Sequence, residues 1–266
     1  MTVLSYTSYD PGLWRVQLNL AAVRTALGHD DTALVERSLD QVRWSAVRGG
    51  SAAAISATAL DLDDYEWSSD VTNFYRVTPG TGSVYTDSIT PSLDGQVVLV
   101  SLRYPFLNVA VSPSDAGDIT TPSLGGTFAV MGRSFPVAVT QMRGSAQFSL
   151  TLATQTPDDR DALRAIISTG DVLLLQNPPG SGCQVDSGYY FAGDITESRN
   201  GVAWDLRWTT LPLTAVDAPG PDVTPVTVTW QSVVNLYTSW NGLIAAQATW
   251  EDVLSLVGAP GDIYTS

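Results

Sequence analysis

The spacing of apolar residues changes period most sharply between Phe128 and Pro178. Phe128-Ala129-Val130 and Phe135-Pro136-Val137-Ala138-Val139 read as strands, with Met131-Gly132-Arg133-Ser134 as the turn between them. After a second turn at Arg143-Gly144-Ser145, the run from Gln147 to Leu152 alternates polar and apolar residues, the period of a half-buried strand. The period then becomes helical. Thr156 is placed as an N-cap, Pro157 takes the first helical position, and Asp158 and Asp159 put acid in the first turn. Ala162, Leu163, Ile166 and Ile167 share a face and Gly170 ends the run, which predicts a helix over 157–169. Val172 to Leu175 is a short buried strand, stopped by Asn177-Pro178-Pro179-Gly180. These elements predict a compact β-β-α-β unit at the centre of the chain. The unit holds no His, no Cys, no phosphate-cradling glycine loop and no acid pair facing a base, which points to assembly rather than catalysis.

On the N-terminal side, Leu13 to Leu20 alternates and predicts a strand, while Ala21 to Asp31 fits either a short helix ended at Gly28 or a loop. Ala33–Ser38 and Val42–Val47 are spaced as a hairpin across Leu39-Asp40-Gln41. Asp61 to Glu66 leads into a strand at Asn73–Val77, Ser83–Ile89 is extended, and Gln96–Leu102 is a strong strand. Pro105 marks an edge or bend before Val109–Val111. On the C-terminal side, Gly188–Thr196 and Trp204–Leu213 form a hairpin about Arg199-Asn200-Gly201. Ala215 to Pro225 is acidic and Pro-rich, a linker.

A ten-residue repeat follows the linker. Trp230, Trp240 and Trp250 each follow Thr229, Ser239 or Thr249, and aliphatic residues follow each Trp. Ten residues turn a helix by about 1000°, so successive Trp side chains would spiral around one long helix, about 80° out of line each time. Three short helices with Ser/Thr N-caps fit better. Repeats this short need a neighbour to cover their apolar face. Trp230, Tyr237, Trp240 and Trp250 are therefore the candidate interface residues, and sugar stacking is the other use of such Trp residues.

Composition narrows the function. The 266 residues allow one large domain or two ordinary ones with a real core, and 22 Gly, 15 Pro and many Val and Thr favour β structure. The formal net charge is −14 and all 13 basic residues are Arg. The absence of Lys fits a GC-rich genome. The acid excess argues against binding nucleic acid or anionic membrane, and suits a surface past which DNA slides without sticking. Cys183 stands alone, so no intrachain disulfide forms and a reducing cytoplasm is the expected folding compartment. Met1-Thr2-Val3-Leu4-Ser5 has neither a basic start nor a long apolar core, so no signal peptide is expected, and no apolar run is long enough to predict a transmembrane helix.

Candidate chemistry is sparse. His29 lies beside Asp30 and Asp31 but has no second His to build a site with, and reads as an exposed turn residue. Asp61, Asp63, Asp64 and Glu66 have the density of a calcium loop without its spacing, and read as a solvated lead-in to a strand. Asp158, Asp159 and Asp161 suit a helix dipole better than a catalytic pair. Cys183 lies in a glycine-rich loop with no base to activate it. No catalytic residue, metal or cofactor is expected.

Two stretches resemble known families. Val35-Glu36-Arg37-Ser38, Val42-Arg43-Trp44, Arg48-Gly49-Gly50, Asp64-Tyr65-Glu66 and Asn73-Phe74-Tyr75-Arg76-Val77 together resemble a fibronectin type III-like β-sandwich, a module common in phage tail proteins. Gly132-Arg133-Ser134-Phe135-Pro136-Val137, the helix from Thr156 to Gly170, Gly188–Thr196 and the closing Trp208–Pro219 run in the order of the ring-forming β domain of siphophage distal tail proteins and related minor tail proteins. The Thr-Trp repeat is similar to C-terminal segments of actinobacteriophage minor tail proteins. The resemblance implies a mainly β chain in three parts: a sandwich over 1–100, a ring-forming barrel or sandwich with one inserted helix over 101–217, and a linker with short helical repeats over 218–266. It implies a structural protein of the virion tail, assembled in the host cytoplasm, that links the tail tube to the tip or baseplate. Implied partners are further copies in a ring, with six favoured and three possible, and neighbouring tube, tape-measure and tip or hub proteins. DNA would pass through the ring without specific binding. A carbohydrate-binding tail module touching the host surface is the alternative, and a polysaccharide hydrolase would need two facing carboxylates that the pattern does not supply.

Overall fold

A computed structural model describes residues 2–56, 61–199, 205–220, and Gly242 and Ile244. The described chain is mainly β, with two α-helices and two hydrophobic cores.

The N-terminal core is wrapped by two sheets. The strands are β1 (Thr2–Val3), β2 (Thr7–Asp10), β3 (Arg15–Leu18), β4 (Asp31–Ser38), β5 (Ser45–Ala46), β6 (Ala53–Ile55), β7 (Leu62–Asp64), β8 (Asn73–Pro79) and β9 (Tyr85–Ile89). One sheet runs β1-β9-β8-β4-β5 with β6 also on β4, and the other runs β2-β3-β7. The pair β1–β9 is parallel. Strand β8 shows why the sheets close on each other. Asn73, Tyr75, Val77 and Pro79 are buried while Phe74, Arg76 and Thr78 are only half-buried, a period of two. Helix α1 (Leu20–Leu27) adds Leu20 and Val23 to this core. The side chain of Asn19 caps its start by accepting from the Ala22 N–H, and Gly28 ends it at φ 86°, a left-handed position glycine takes without strain. Of the two readings of Ala21–Asp31, the helix is the one that forms.

The second core fills a closed six-stranded barrel. Its strands are β10 (Val97–Ser101), β11 (Val109–Ala116), β14 (Gln147–Thr154), β15 (Leu173–Gln176), β16 (Gly188–Ala192) and β18 (Arg207–Ala215). They pair antiparallel in the order β14-β11-β10-β15-β16-β18, and β18 returns to β14 over Gln147–Thr154. Between β11 and β14 lies the hairpin β12 (Gly126–Phe128) and β13 (Val137–Val139), which forms its own two-stranded sheet. Strand β17 (Thr196–Arg199) continues from β16 along the other half of β18. Inward residues of alternate positions (Phe148, Leu150, Leu152, Leu211, Leu213) fill the barrel, as expected where six strands leave no channel. Helix α2 (Pro157–Ser168) adds Leu163 and Ile166. Its cap is reciprocal: Asp159 N–H donates to Thr156 Oγ1 at 3.1 Å, and Thr156 N–H donates to Asp159 Oδ2 at 3.1 Å.

Three expectations change. First, the boundary near residue 101 cuts through the barrel, because Val97–Ser101 is the barrel's first strand. All five of its residues are buried: Val97 and Leu99 face the barrel interior, while Val98 and Val100 pack into the N-terminal core. Second, the predicted strands at 128–130 and 135–139 do not join the helix in a β-β-α-β core unit. They form β12 and β13, whose residues are all exposed. Third, Asp63 and Asp64 are not a solvated lead-in. They lie in β7, 4% and 1% exposed, because Arg15 reaches Asp63 from the paired strand β3 and Arg37 reaches Asp64 from β4 of the other sheet. The linker beyond Gly220 and the Trp repeat, with Trp230, Tyr237, Trp240 and Trp250, lie outside the described residues.

Candidate interaction surface

Strands β11 and β14 do not stop at the barrel wall. Beyond the Ala116–Leu150 pair, Gly117 N–H donates to the Ser149 carbonyl at 2.7 Å. Thr120 and Gln147 then exchange both backbone bonds, at 2.7 and 2.8 Å. Ser123 bridges Arg143, Gly126 pairs with Val139 and Phe128 with Val137. The tip turns where Arg133 N–H donates to the Val130 carbonyl at 3.1 Å. The two segments thus stay side by side through isolated bridges, with small slips of register, to form one arm. It reaches about 26 Å from the Thr120–Gln147 bridge to the Phe128–Val137 pair, at the rise of an ordinary strand. Close approach of the two chains is enforced at Gly125, where a Cβ would fall 2.4 Å from the Val139 carbonyl oxygen.

The arm is apolar and uncovered. Phe128, Val137 and Val139 lie on one face of the ribbon, since paired positions share a face. Leu124, Val130, Met131, Phe135 and Met142 add to the exposed apolar surface, with Met131 at 102% and Phe135 at 83% exposure. A two-stranded ribbon is marginal in water by itself, and a contiguous apolar surface of this kind marks an interaction site.

The charge of the arm is opposite to that of the chain. From Ile119 to Pro157 there is no acidic residue, and the arm carries Arg133 and Arg143 in a protein of formal charge −14. Among the described residues neither Arg has an acidic partner, and Arg143 makes only a 3.4 Å contact to the Thr121 carbonyl. Most other Arg side chains are committed internally. Arg15 binds Asp10 and Asp63 at 3.0 and 2.6 Å, Arg37 binds Asp64 at 2.5 Å, and Arg76 binds Glu36 at 2.6 Å. Arg48 binds Glu66 at 2.8 Å and also donates to the Gly220 and Pro219 carbonyls at 2.6 and 3.2 Å, tying the chain beyond the barrel to the N-terminal unit. Tyr189 of the barrel donates to the same Glu66 carboxylate. Burial pushes the Asp63 carboxyl up, against the pull of Arg15.

Two depressions accompany the arm. A cleft of about 650 Å³ at its base is lined by Pro113–Ile119 and by Ser181–Val185, including Cys183. A groove of about 360 Å³ lies between α2 and β17, lined by Leu163, Arg164, Ile167, Ser168, Ile195, Glu197 and Thr209.

The residues singled out in the sequence do not converge on one site. His29 is at the surface, 3.0 Å from Thr81 Oγ1 and 4.0 Å from Asp31. Asp158, Asp159 and Asp161 stand in the first turns of α2. Among the described residues no group of three or more His, Cys, Asp or Glu side chains is placed to hold a metal ion, and no helix is long and apolar enough to cross a membrane. The arm was missed because its Phe and Val spacing is that of a core strand. The signal that could have found it is the 39-residue run without an acid from Ile119 to Pro157, which holds Thr120-Thr121-Pro122-Ser123 and Gly125-Gly126 near its start.

No protein-family model matches the chain, and no curated protein matches it.

Proposed function

We propose that the protein is a structural component of a siphophage-type tail tip, a ring-forming adaptor between the tail tube and the tip or baseplate. The observation that carries this reading is the arm, a long apolar ribbon of opposite charge to the body, held out from a closed and well-packed barrel. Such an element is stable only against another surface. A barrel with uncommitted apolar surface at one projection favours assembly through repeated contacts, and repeated heterologous contacts close into rings. The N-terminal unit, with two sheets about one core, takes the place of the fibronectin type III-like module beside the ring. It is clamped to the barrel by the shared strand β10 and by the Arg48–Glu66–Tyr189 cluster.

Native mass measurement of the purified protein, with negative-stain imaging of the same sample, tests the reading. A closed ring of six or three copies is the expected result. A monomer that persists across a concentration series overturns it.

A further inference from the structure

We infer that the apolar arm of one copy is covered by the C-terminal segment, residues 221–266, of a neighbouring copy. The inference rests on the assembly reading above and names the two surfaces that meet.

The chemistry of the two is complementary in both directions. From Ile119 to Pro157 the arm region carries Arg133 and Arg143 and no acid. Residues 221–266 carry Asp222, Glu251, Asp252 and Asp262 and no base. The arm exposes Phe128, Val137 and Val139, with Met131 and Met142 beside them. The segment brings Trp230, Tyr237, Trp240 and Trp250. Thioether side chains adapt to aromatic rings, and guanidinium groups stack on them as well as pair with carboxylates. Burying four such aromatics removes about 600–1,000 Å² from water. A stable interface takes about 800 Å² from each partner. The two described residues of the segment, Gly242 and Ile244, are helical, and Ile244 is 69% exposed. The segment thus has apolar surface of its own to cover.

The barrel makes the contact head-to-tail. Its strands run β14-β11-β10-β15-β16-β18 and back to β14, so the β11–β14 pair lies across the barrel from β15 and β16. The arm leaves from β11 and β14. The chain end leaves along β16. Val216 N–H donates to the Tyr189 carbonyl at 3.0 Å, and Arg48 of the N-terminal unit then holds the Pro219 and Gly220 carbonyls. That unit packs over Tyr189. A segment of 46 residues reaches about 150 Å when extended, so length permits either its own arm or another. Direction favours the other, because Gly220 is fixed on the flank away from its own arm. Contacts of this kind join unlike surfaces and propagate until they close.

The test uses two variants of the full chain, Phe128→Asp in the arm and Ile244→Asp in the segment. Both positions are exposed, so each variant is expected to keep the wild-type thermal midpoint. Native mass across a concentration series reads self-association. Each variant is expected to weaken it by about thirtyfold or more, the effect of losing an apolar anchor. Mixed together they retain one intact contact, because the first keeps its segment and the second keeps its arm. The mixture is then expected to form a one-to-one dimer that grows no further. Rings that persist in Ile244→Asp but not in Phe128→Asp overturn the segment as the occupant and leave the ring reading standing. Rings unaffected by either change overturn the arm contact alone. A wild-type protein that stays monomeric overturns both readings. Oxidative crosslinking is the second readout, and it decides should either variant lower the thermal midpoint. Met131→Cys is mixed with Ile244→Cys, both in a Cys183→Ser background. A disulfide-linked dimer of the unlike chains is expected, and its absence overturns the proposal. With both Cys substitutions in one chain, a disulfide that closes within that chain assigns the segment to its own arm and overturns the contact between copies.

Discussion

Gln176, at the end of barrel strand β15, reaches Tyr65 in the N-terminal unit: its Nε2 donates to the Tyr65 carbonyl at 2.9 Å and to the Trp67 carbonyl at 3.2 Å. Both bonds are buried, so the two units are joined by a polar contact with no water to replace it. Replacing Gln176 with Leu leaves two carbonyls without a donor. The expected cost is about 1–3 kcal/mol, measured by chemical denaturation. The two cores share β10, so the loss is expected in one cooperative transition rather than two.

Asp64 is a buried carboxylate that accepts from three residues of the N-terminal core. It accepts from Arg37 at 2.5 and 2.7 Å, from the Tyr75 hydroxyl at 2.8 Å and from the Glu66 N–H at 2.8 Å. Burial opposes the charge on Arg37, but Asp64, with Tyr75 and Glu66, outweighs it and holds the guanidinium charged. Asp64→Ala leaves that charge buried and alone, and is expected to cost about 3–5 kcal/mol in denaturant titrations. Replacing Arg37 and Asp64 together with apolar residues is expected to recover much of that loss.

The tyrosines set an alkaline limit. Burial, with help from Asp94, Asp10 and Asp70, pushes Tyr9 up to about 12. Burial also raises Tyr6, Tyr65, Tyr75 and Tyr189. A raised folded-state value means that stability is complete below the unfolded value of about 10 and falls as pH rises through the folded value. Unfolding free energy is therefore expected to drop from about pH 10 upward, with the Tyr9 part gone just above about pH 12. Tyr6 Oη is buried with no hydrogen-bond partner among the described residues, so Tyr6→Phe is expected to gain up to about 1 kcal/mol at neutral pH and to flatten the alkaline slope. Denaturant titrations across the pH range, with tyrosinate absorbance read alongside, measure both.

Gly125 separates folding from assembly. A methyl group there would meet the Val139 carbonyl at 2.4 Å and force the arm's two chains apart. Gly125→Ala is expected to leave the denaturation midpoint of the body within about 0.5 kcal/mol of wild type, because the arm adds no residue to either core. Self-association, read from sedimentation velocity, is expected to fall. A parallel loss of body stability would count against treating the arm as a separate element.

The cap of α2 gives the simplest check of local physics. Thr156→Ala removes the acceptor for the Asp159 N–H at an exposed helix start, and about 1 kcal/mol of thermal or chemical stability is expected to go with it.

How far the sequence reads depends on the range of the physics. The α2 helix was legible to within a residue, since Thr156, Pro157, Asp159 and Gly170 act on their own neighbours. The strands β3 and β14 were legible from alternation alone. The single strand read over Gly188–Thr196 is β16 and β17 in the structure, parted at Gly193, whose N–H donates to the Pro212 carbonyl. The hairpin read over Val42–Val47 shrinks to Ser45–Ala46, because Asp40 Oδ1 accepts from the Val42 and Arg43 N–H groups and winds the turn wider.

By itself the sequence determined the capped helix α2 and the strands with clear alternation, such as β3 and β14, because propensity, capping and period act over a few residues. Only the tertiary structure decided what covers each face. Val98 and Val100 face a second core because the N-terminal unit packs against the outside of the barrel. Asp63 and Asp64 are buried because Arg15 and Arg37 come from strands distant in sequence. Phe128 and Val137 carry the pattern of a core strand, yet they stand in solvent because β11 and β14 run past the edge of the barrel. An apolar residue records a need for burial, and the surface that meets the need can lie anywhere in the chain, or on another copy of it.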